Sequence, residues 1–325
     1  MPLRKRKNIH FNTQKMEAFS PKLDKISENI IYLLSLDSRK TISALAAELN
    51  LSRKIVEHRV NKLFHQKYIT PLAVTNEANG IYFTVLVKLR TIDESIVSKV
   101  QRLPGLLKLK ETLGLYDLSL LFNIDAQTGI EDTISELSTI LDNKILSYEV
   151  VFHDFEDTLG YKSFCHDARH LQKYTSLQHK PITLSEKELL VLRAIKNKPL
   201  ISYIELSQQT SLTYKSLKET QDAILQKGIL RFSIDPDYEK LGLNFHNILV
   251  KIRLGKRKMF ERYIQHHPHI HWVKHSQGRW DYILSVAARN INEFIDVSKK
   301  IRADNSNIIQ DETSLISKVQ EMRRH

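Results

Sequence analysis

The sequence predicts an α+β fold in which a three-helix unit and a small sheet-and-helix unit each occur twice. Three observations predict it. The segment from Leu23 lies over the segment from Leu184 at an offset of 161 residues, which carries Ile31 onto Leu192, Leu45 onto Leu206, Ser52 onto Thr213 and Leu63 onto Ile224. Within each segment the apolar residues recur at helical spacing. After each segment the apolar pattern changes to strand, helix, strand, strand, helix, strand.

Composition sets the frame. A chain of 325 residues has room for two to four domains. With 42% hydrophobic and 26% charged residues it is globular, neither disordered nor fibrous. Lysine and arginine outnumber aspartate and glutamate 49 to 37, for a net charge of +12, which makes a polyanion such as nucleic acid the first candidate partner. The single cysteine, Cys165, excludes an internal disulfide framework and a multi-cysteine zinc ribbon. No apolar run reaches the length of a membrane helix. The basic start, MPLRKRKNIHFNTQK, is not followed by the apolar segment of a secretory signal, so the expected location is the cytoplasm.

The elements follow in order. Ile30, Ile31, Leu33 and Leu34 form one apolar stripe, Ile42, Leu45, Ala46 and Leu49 a second, and Ile55, Val56, Val60, Leu63 and Phe64 a third. Asn50-Leu51-Ser52 is a tight connection whose serine accepts from the free amides that open the third helix, the grammar of a helix-turn-helix. A β-rich stretch follows at 68–80 and again at 229–242, the latter with the turn signal Asp235-Pro236. The first copy then reads as a strand at 82–89, a helix at 93–102, strands at 106–112 and 118–124, a helix at 129–141 and a strand at 145–152. The second repeats this at 246–254, 258–266, 269–274, 282–287, 291–301 and 308–316. This βαββαβ order is the ferredoxin-like arrangement, an antiparallel sheet with two helices on one face, whose other face must also be covered. Residues 153–181 are polar and without period, a linker with some helix.

The residues Leu23-Asp24, Arg39, Leu45-Ala46, Leu51-Ser52, Arg59, Leu63, Ile69, Gly80 and the turn 114–117 resemble the leucine-responsive regulator (Lrp/AsnC) family. In the second copy Leu206, Leu212-Thr213, Gly228-Ile229, Asp235-Pro236, Leu241-Gly242 and the turn 278–281 carry the same resemblance. It implies two winged helix-turn-helix domains alternating with two ferredoxin-like regulatory domains. The expected boundaries are a basic arm at 1–20, a helix-turn-helix at 21–75, a regulatory domain at 76–153, a linker at 154–181, a second helix-turn-helix at 182–238 and a second regulatory domain at 239–325. Most members of the family carry one module per chain, and in the family regulatory sheets pair face to face. The resemblance therefore implies a transcription regulator that binds double-stranded DNA, pairing its sheets within one chain or, as a homodimer, with those of a second.

A reading helix shows phosphate- and base-reaching side chains opposite its core stripe. In the first copy these are Ser52, Arg53, Lys54, Glu57, His58, Asn61 and Lys62, with Arg59 at the flank. Arg53, Lys54 and His58 are assigned to base readout, and Arg59 and Lys62 to phosphates. The second copy offers Lys215 and Lys218, but Thr220 stands where Arg59 is and Asp222 where Asn61 is. Residues 52–67 carry five basic side chains and one acidic; residues 213–227 carry three and two. Carboxylates near phosphates are unfavourable, so the first head is expected to dominate DNA contact. The arm residues Arg4, Lys5, Arg6 and Lys7 suit phosphate or minor-groove contacts.

By resemblance, a small-molecule effector such as an amino acid binds near the turns Gly114, Tyr116, Asp117 and Gly278, Trp280, Asp281. Turn chemistry alone also accounts for these residue types. The run His266, His267, His269, His271 and His275 and the trio Cys165, His166 and His170 suggest a metal, but neither has a recognisable ligand spacing, and no metal or cofactor is expected. Siroheme decarboxylases share the architecture. Where that family has a histidine-asparagine-tyrosine run followed by arginine, KLKETLGLYD and WVKHSQGRWD offer only His275 and Arg279. With no convergent acid, base and nucleophile visible, the expectation is a regulator and not an enzyme.

Overall fold

The computed structural model describes residues 23–75, 80–92, 94–125, 129–167, 175–178 and 183–318. The basic arm and His170 lie outside the described residues.

The first three helices are α1 (Lys25–Leu36), α2 (Ile42–Leu49) and α3 (Arg53–His65). Each begins on a side chain that accepts from a free backbone amide: Asp24 from Ser27, Thr41 from Ala44 and Ser52 from Ile55. Asn50, in the left-handed region at φ 54°, ends α2. Asparagine tolerates that conformation, and the Leu51 amide then returns to the Ala46 carbonyl at 2.9 Å. Ile30, Ile31, Leu34, Leu45, Val56, Val60 and Leu63 bury the facing stripes together. The same order recurs as α6 (Glu186–Asn197), α7 (Tyr203–Thr210) and α8 (Tyr214–Gln226), with capping boxes Ser185/Glu188 and Ser202/Glu205 and a core of Val191, Leu192, Ile195, Leu206, Leu217 and Ile224.

A single strand follows each trio, β1 (Ile69–Thr75) and β7 (Leu230–Pro236). The sequence predicts a wing for each head. Instead the two strands pair with each other, antiparallel from Ile69↔Pro236 to Thr75↔Leu230. Among the described residues neither segment supplies a second strand of its own, and each satisfies its backbone groups on the other copy. Arg39 ties the heads together: Nε donates to Pro199 O at 3.2 Å, Nη1 to Gln221 Oε1 at 3.1 Å and Nη2 to Ile201 O at 3.4 Å, and the guanidinium lies 4.0 Å from the Phe232 ring centre.

The remaining strands form one sheet. β2 (Gly80–Leu89), β3 (Leu106–Leu113), β4 (Leu118–Asp125) and β5 (Ile145–Thr158) run in the order β5-β2-β4-β3, with α4 (Glu94–Val100) and α5 (Ile130–Leu141) on one face. β8 (Asn244–Ile252), β9 (Ile270–Gln277), β10 (Tyr282–Ala288) and β11 (Ile309–Ser317) run in the order β11-β8-β10-β9, with α9 (Arg257–His266) and α10 (Ile291–Asp304). Side chains alternate along each strand. Phe83, Val85 and Val87 meet the helices while Thr84 and Leu86 face the other sheet; Ile248 and Val250 do the first, Asn247 and Leu249 the second.

The two sheets join at both edges. β3 meets β11 through Leu113↔Ile316 and Thr112↔Ser317, and β5 meets β9 from Phe152↔Gln277 to Thr158↔Trp272. Eight strands thus close into a ring whose inner faces cover each other, the cover the sequence demanded. β5 runs past the expected boundary at residue 153. It pairs with β2 as far as Phe152, then continues to Thr158 along β9, and β6 (Thr175–Gln178) adds to this second half. Leu159, Tyr161 and Phe164 are buried beyond it, and the Tyr161 amide donates to Ser35 Oγ at 3.1 Å. Gly160, at φ 73°, admits the close approach: a Cβ there would lie 2.8 Å from Leu36 Cδ2.

Candidate nucleic-acid interface and interior sites

The face of α3 assigned to DNA is free. Ser52, Arg53, Lys54, Glu57, His58, Asn61 and Lys62 are exposed, while Val56, Val60 and Leu63 are turned into the core. Arg59 is the exception: it is half-buried, and its Nη2 lies 3.1 Å from Asp24 Oδ2. On α8 Lys215 and Lys218 are exposed beside Glu219 and Asp222, whereas Thr220 is buried and donates to Ser216 O at 2.7 Å. Replacing an arginine by threonine there removes a flanking cation and adds a core contact.

The two glycine-aromatic-aspartate turns have the same internal bonding. Asp117 accepts from the Leu89 amide at 2.8 Å and Lys88 Nζ at 3.0 Å; Asp281 accepts from the Ile252 amide at 2.9 Å and Lys251 Nζ at 3.0 Å. Gly114 and Gly278 hold φ 145° and 118°, and their carbonyls accept from the same two lysines. Tyr116 and Trp280 are buried between the sheets with Leu86, Val151, Leu249, Ile283 and Leu315. The Tyr116 hydroxyl donates to Glu149, and burial together with that bond raises its pKa to about 12. The Asp117 and Asp281 carboxylates, the Gly114 and Gly278 carbonyls and the Tyr116 hydroxyl are thus engaged by the fold.

The histidines diverge. His266 Nδ1 lies 2.8 Å from Arg262 O, His269 Nδ1 3.0 Å from Ala287 O, and His271 Nε2 accepts from the Ser163 amide at 3.1 Å. Burial holds His267 at a pKa of about 3 and His271 well below the usual value. Lys162, 1% exposed, spans the C-terminal end of α9 by donating to Ile264 O at 2.8 Å and Gln265 O at 3.0 Å; burial brings its pKa down to about 7. Among the described residues no group of three or more His, Cys, Asp or Glu side chains is placed to hold a metal.

His275 has the most chemical character. It is 2% exposed, with Nε2 2.8 Å from Asp157 Oδ2 and Nδ1 3.7 Å from Glu261 Oε1. The Phe155 ring stacks on it at 3.8 Å, and the Tyr282 hydroxyl donates to Glu261 at 3.0 Å. Phe155, Asp157, Glu261 and His275 line a cleft of about 450 Å³ including its opening to solvent, and an imidazole between two carboxylates is equipped for proton transfer. The sequence singles out His275 alone. Asp157 escapes it because the residue lies in the presumed linker.

A second space lies between the sheets, about 340 Å³ including its opening to solvent, lined by Thr84, Lys108, Lys110, Ser119, Leu121, Asn247, Lys274, Ile283 and Ser285. A polar chain crosses beside it from Thr84 Oγ1 to His153 Nε2 at 2.7 Å and from His153 Nδ1 to Ser276 Oγ at 2.9 Å. The spacing of Lys108 and Lys110, two residues apart on one strand, is the only sequence signal of this chamber.

No family model matches the chain. The HTH-type transcriptional regulator LysM of Saccharolobus solfataricus is 27% identical over 121 residues, which cover 36% of this chain and 85% of that protein. The resemblance to the Lrp/AsnC regulators stands. Among solved Lrp/AsnC structures, LrpC of B. subtilis is 20% identical, covering 44% of this chain and 100% of that one, with a TM-score of 0.37. The siroheme decarboxylase NirDL is 14% identical and covers 91% of both chains with a TM-score of 0.57. A second NirDL structure, in complex with an iron-uroporphyrin III analogue, matches at 15% identity and a TM-score of 0.56. These two likenesses span nearly the whole chain, and they correct one expectation: the architecture is that of a known enzyme, so the exclusion of enzymatic activity does not stand.

Proposed function

We propose that the chain is a DNA-binding transcription regulator of the Lrp/AsnC type, a tandem of two helix-turn-helix heads and two ferredoxin-like units in one polypeptide. The observation that carries this reading is the exposed, capped α3 face, where Glu57 is the one acidic side chain among Arg53, Lys54, His58, Asn61 and Lys62. The weaker cationic balance of α8 supports an asymmetric regulator in which the first head dominates. The sheets pair within one chain, the first of the two arrangements that the resemblance allows, which supports a single chain as the counterpart of the dimer that one-module members form. Because the turn residues are engaged by the fold, an effector there would displace existing bonds. We place its action in the cytoplasm, where the DNA is. Fluorescence anisotropy with labelled duplex DNA tests the reading: affinity must fall steeply as salt rises.

A second reading, a siroheme decarboxylase-like enzyme, is favoured by the NirDL likeness together with the His275 cleft. Incubation with siroheme tests it by spectral change and loss of carboxyl groups. A spectrum and carboxyl count that stay unchanged remove this reading.

A further inference from the structure

The chamber between the sheets holds more positive charge than the protein neutralises. Lys108 and Lys110 enter it from β3 of the first copy and Lys274 from β9 of the second. Glu156 is the carboxylate at hand: it pairs with Lys274 at 3.1 Å, accepts from the Tyr82 hydroxyl at 3.2 Å, and its one charge is also shared with Arg231, Lys108 and Lys110. Arg231, on β7, is 8% exposed, and among the described residues its Nε and Nη1 have no hydrogen-bond partner. Among the described residues Lys110 Nζ reaches only a neutral oxygen, Asn247 Oδ1 at 3.3 Å, and Lys108 makes no ion pair.

Buried ammonium groups without a counter-charge either shed their protons or recruit an anion. Burial and mutual repulsion already act in the first direction, taking Lys108 down to about 8 and Lys110 well below its ordinary value. The surroundings favour the second course. The Ser119 hydroxyl lies among the lysines, beside the Thr84 and Ser285 hydroxyls that bond His153 and Asn247, and lysine ammoniums are rotatable point donors that suit the oxygens of a compact anion.

We propose that this chamber binds a small dianion, inorganic phosphate or a short dicarboxylate, between Lys108, Lys110 and Lys274. Because the lysines come from both copies, the anion bridges the two sheets and stabilises their pairing. The site stands apart from the DNA reading and is tested without DNA.

Thermal unfolding and isothermal calorimetry of the full chain, with phosphate or succinate against sodium chloride at matched ionic strength, test the proposal. The expected result is a saturable rise in Tm and measurable heat with phosphate, succinate or both, which also tells the two sources apart. Lys108→Met with Lys110→Met should weaken binding at least tenfold while leaving the anion-free chain folded, since removing an unpaired buried charge is not destabilising. If that pair does not fold, Lys108→Gln with Lys110→Gln takes its place. Binding no stronger than chloride, or equal binding in the folded lysine variants, overturns the proposal.

Discussion

Asp24 and Arg59 are joined across the first head, Nη2 to Oδ2 at 3.1 Å, and the same carboxylate caps α1 through the Ser27 amide at 2.7 Å. Burial works against the Asp24 charge, but the Ser27 bond and Arg59 outweigh it and hold its pKa below the ordinary value. Arg59 therefore anchors α3 to the start of α1 and is only partly available to phosphate. Arg59→Ala should weaken DNA binding less than Arg53→Ala in an anisotropy titration, and should lower stability by no more than about 1 kcal/mol, the range of exposed ion pairs.

The equivalence of Asp117 and Asp281 gives a symmetric expectation. Each satisfies one strand amide and one lysine, so Asp117→Ala and Asp281→Ala should each cost about 1–3 kcal/mol in urea unfolding, with or without an added amino acid. A loss confined to effector response, with stability untouched, would show that the turns serve ligand binding and not the fold.

Arg39 donates to two carbonyls and one side chain of the second head and lies over Phe232. Arg39→Ala leaves those acceptors without their charged donor. Amide hydrogen exchange across β1 and β7 should accelerate, and stability should fall by about 2–3 kcal/mol.

His246 gives a pH dependence. Burial and the nearby Lys110 charge bring its pKa to about 4, and its Nδ1 accepts from the Ser317 amide at 3.1 Å. Between that value and the unfolded value near 6.5 the unfolded chain binds the extra proton, so stability is lost as pH falls through this window. The slope is at most about 1.4 kcal/mol per pH unit for one group. His246→Asn, which keeps an acceptor but cannot titrate, should flatten this limb of a Tm-against-pH curve and leave Tm at pH 8 little changed.

The helices and most strands were legible in the sequence because caps and apolar period are local properties. Ser52 and Thr213 mark the start of α3 and α8, and the alternation of Phe83, Val85 and Val87 gives β2 its helix-facing side. Partner choice is not local. Nothing in Ile69–Thr75 says that its partner is Leu230–Pro236 and not a hairpin arm, and nothing in Asp154–Thr158 marks it as a strand that crosses to the other sheet. The exposed cations of α3 were readable because a helix face shows in four residues. Lys108 and Lys110 read as solvated until the second sheet covers them, and Asp157 has no meaning beside His275 until β5 and β9 pair.

The dominance of the first head is tested most directly by the salt dependence of duplex DNA binding, compared between the unaltered chain, Arg53→Ala with Lys54→Ala, and Lys215→Ala with Lys218→Ala. The first pair should reduce affinity at least tenfold and lower the slope of log affinity against log salt by about 2, and the second pair should change both far less. Unchanged affinity and slope in the first pair, or a larger loss in the second, would contradict the account.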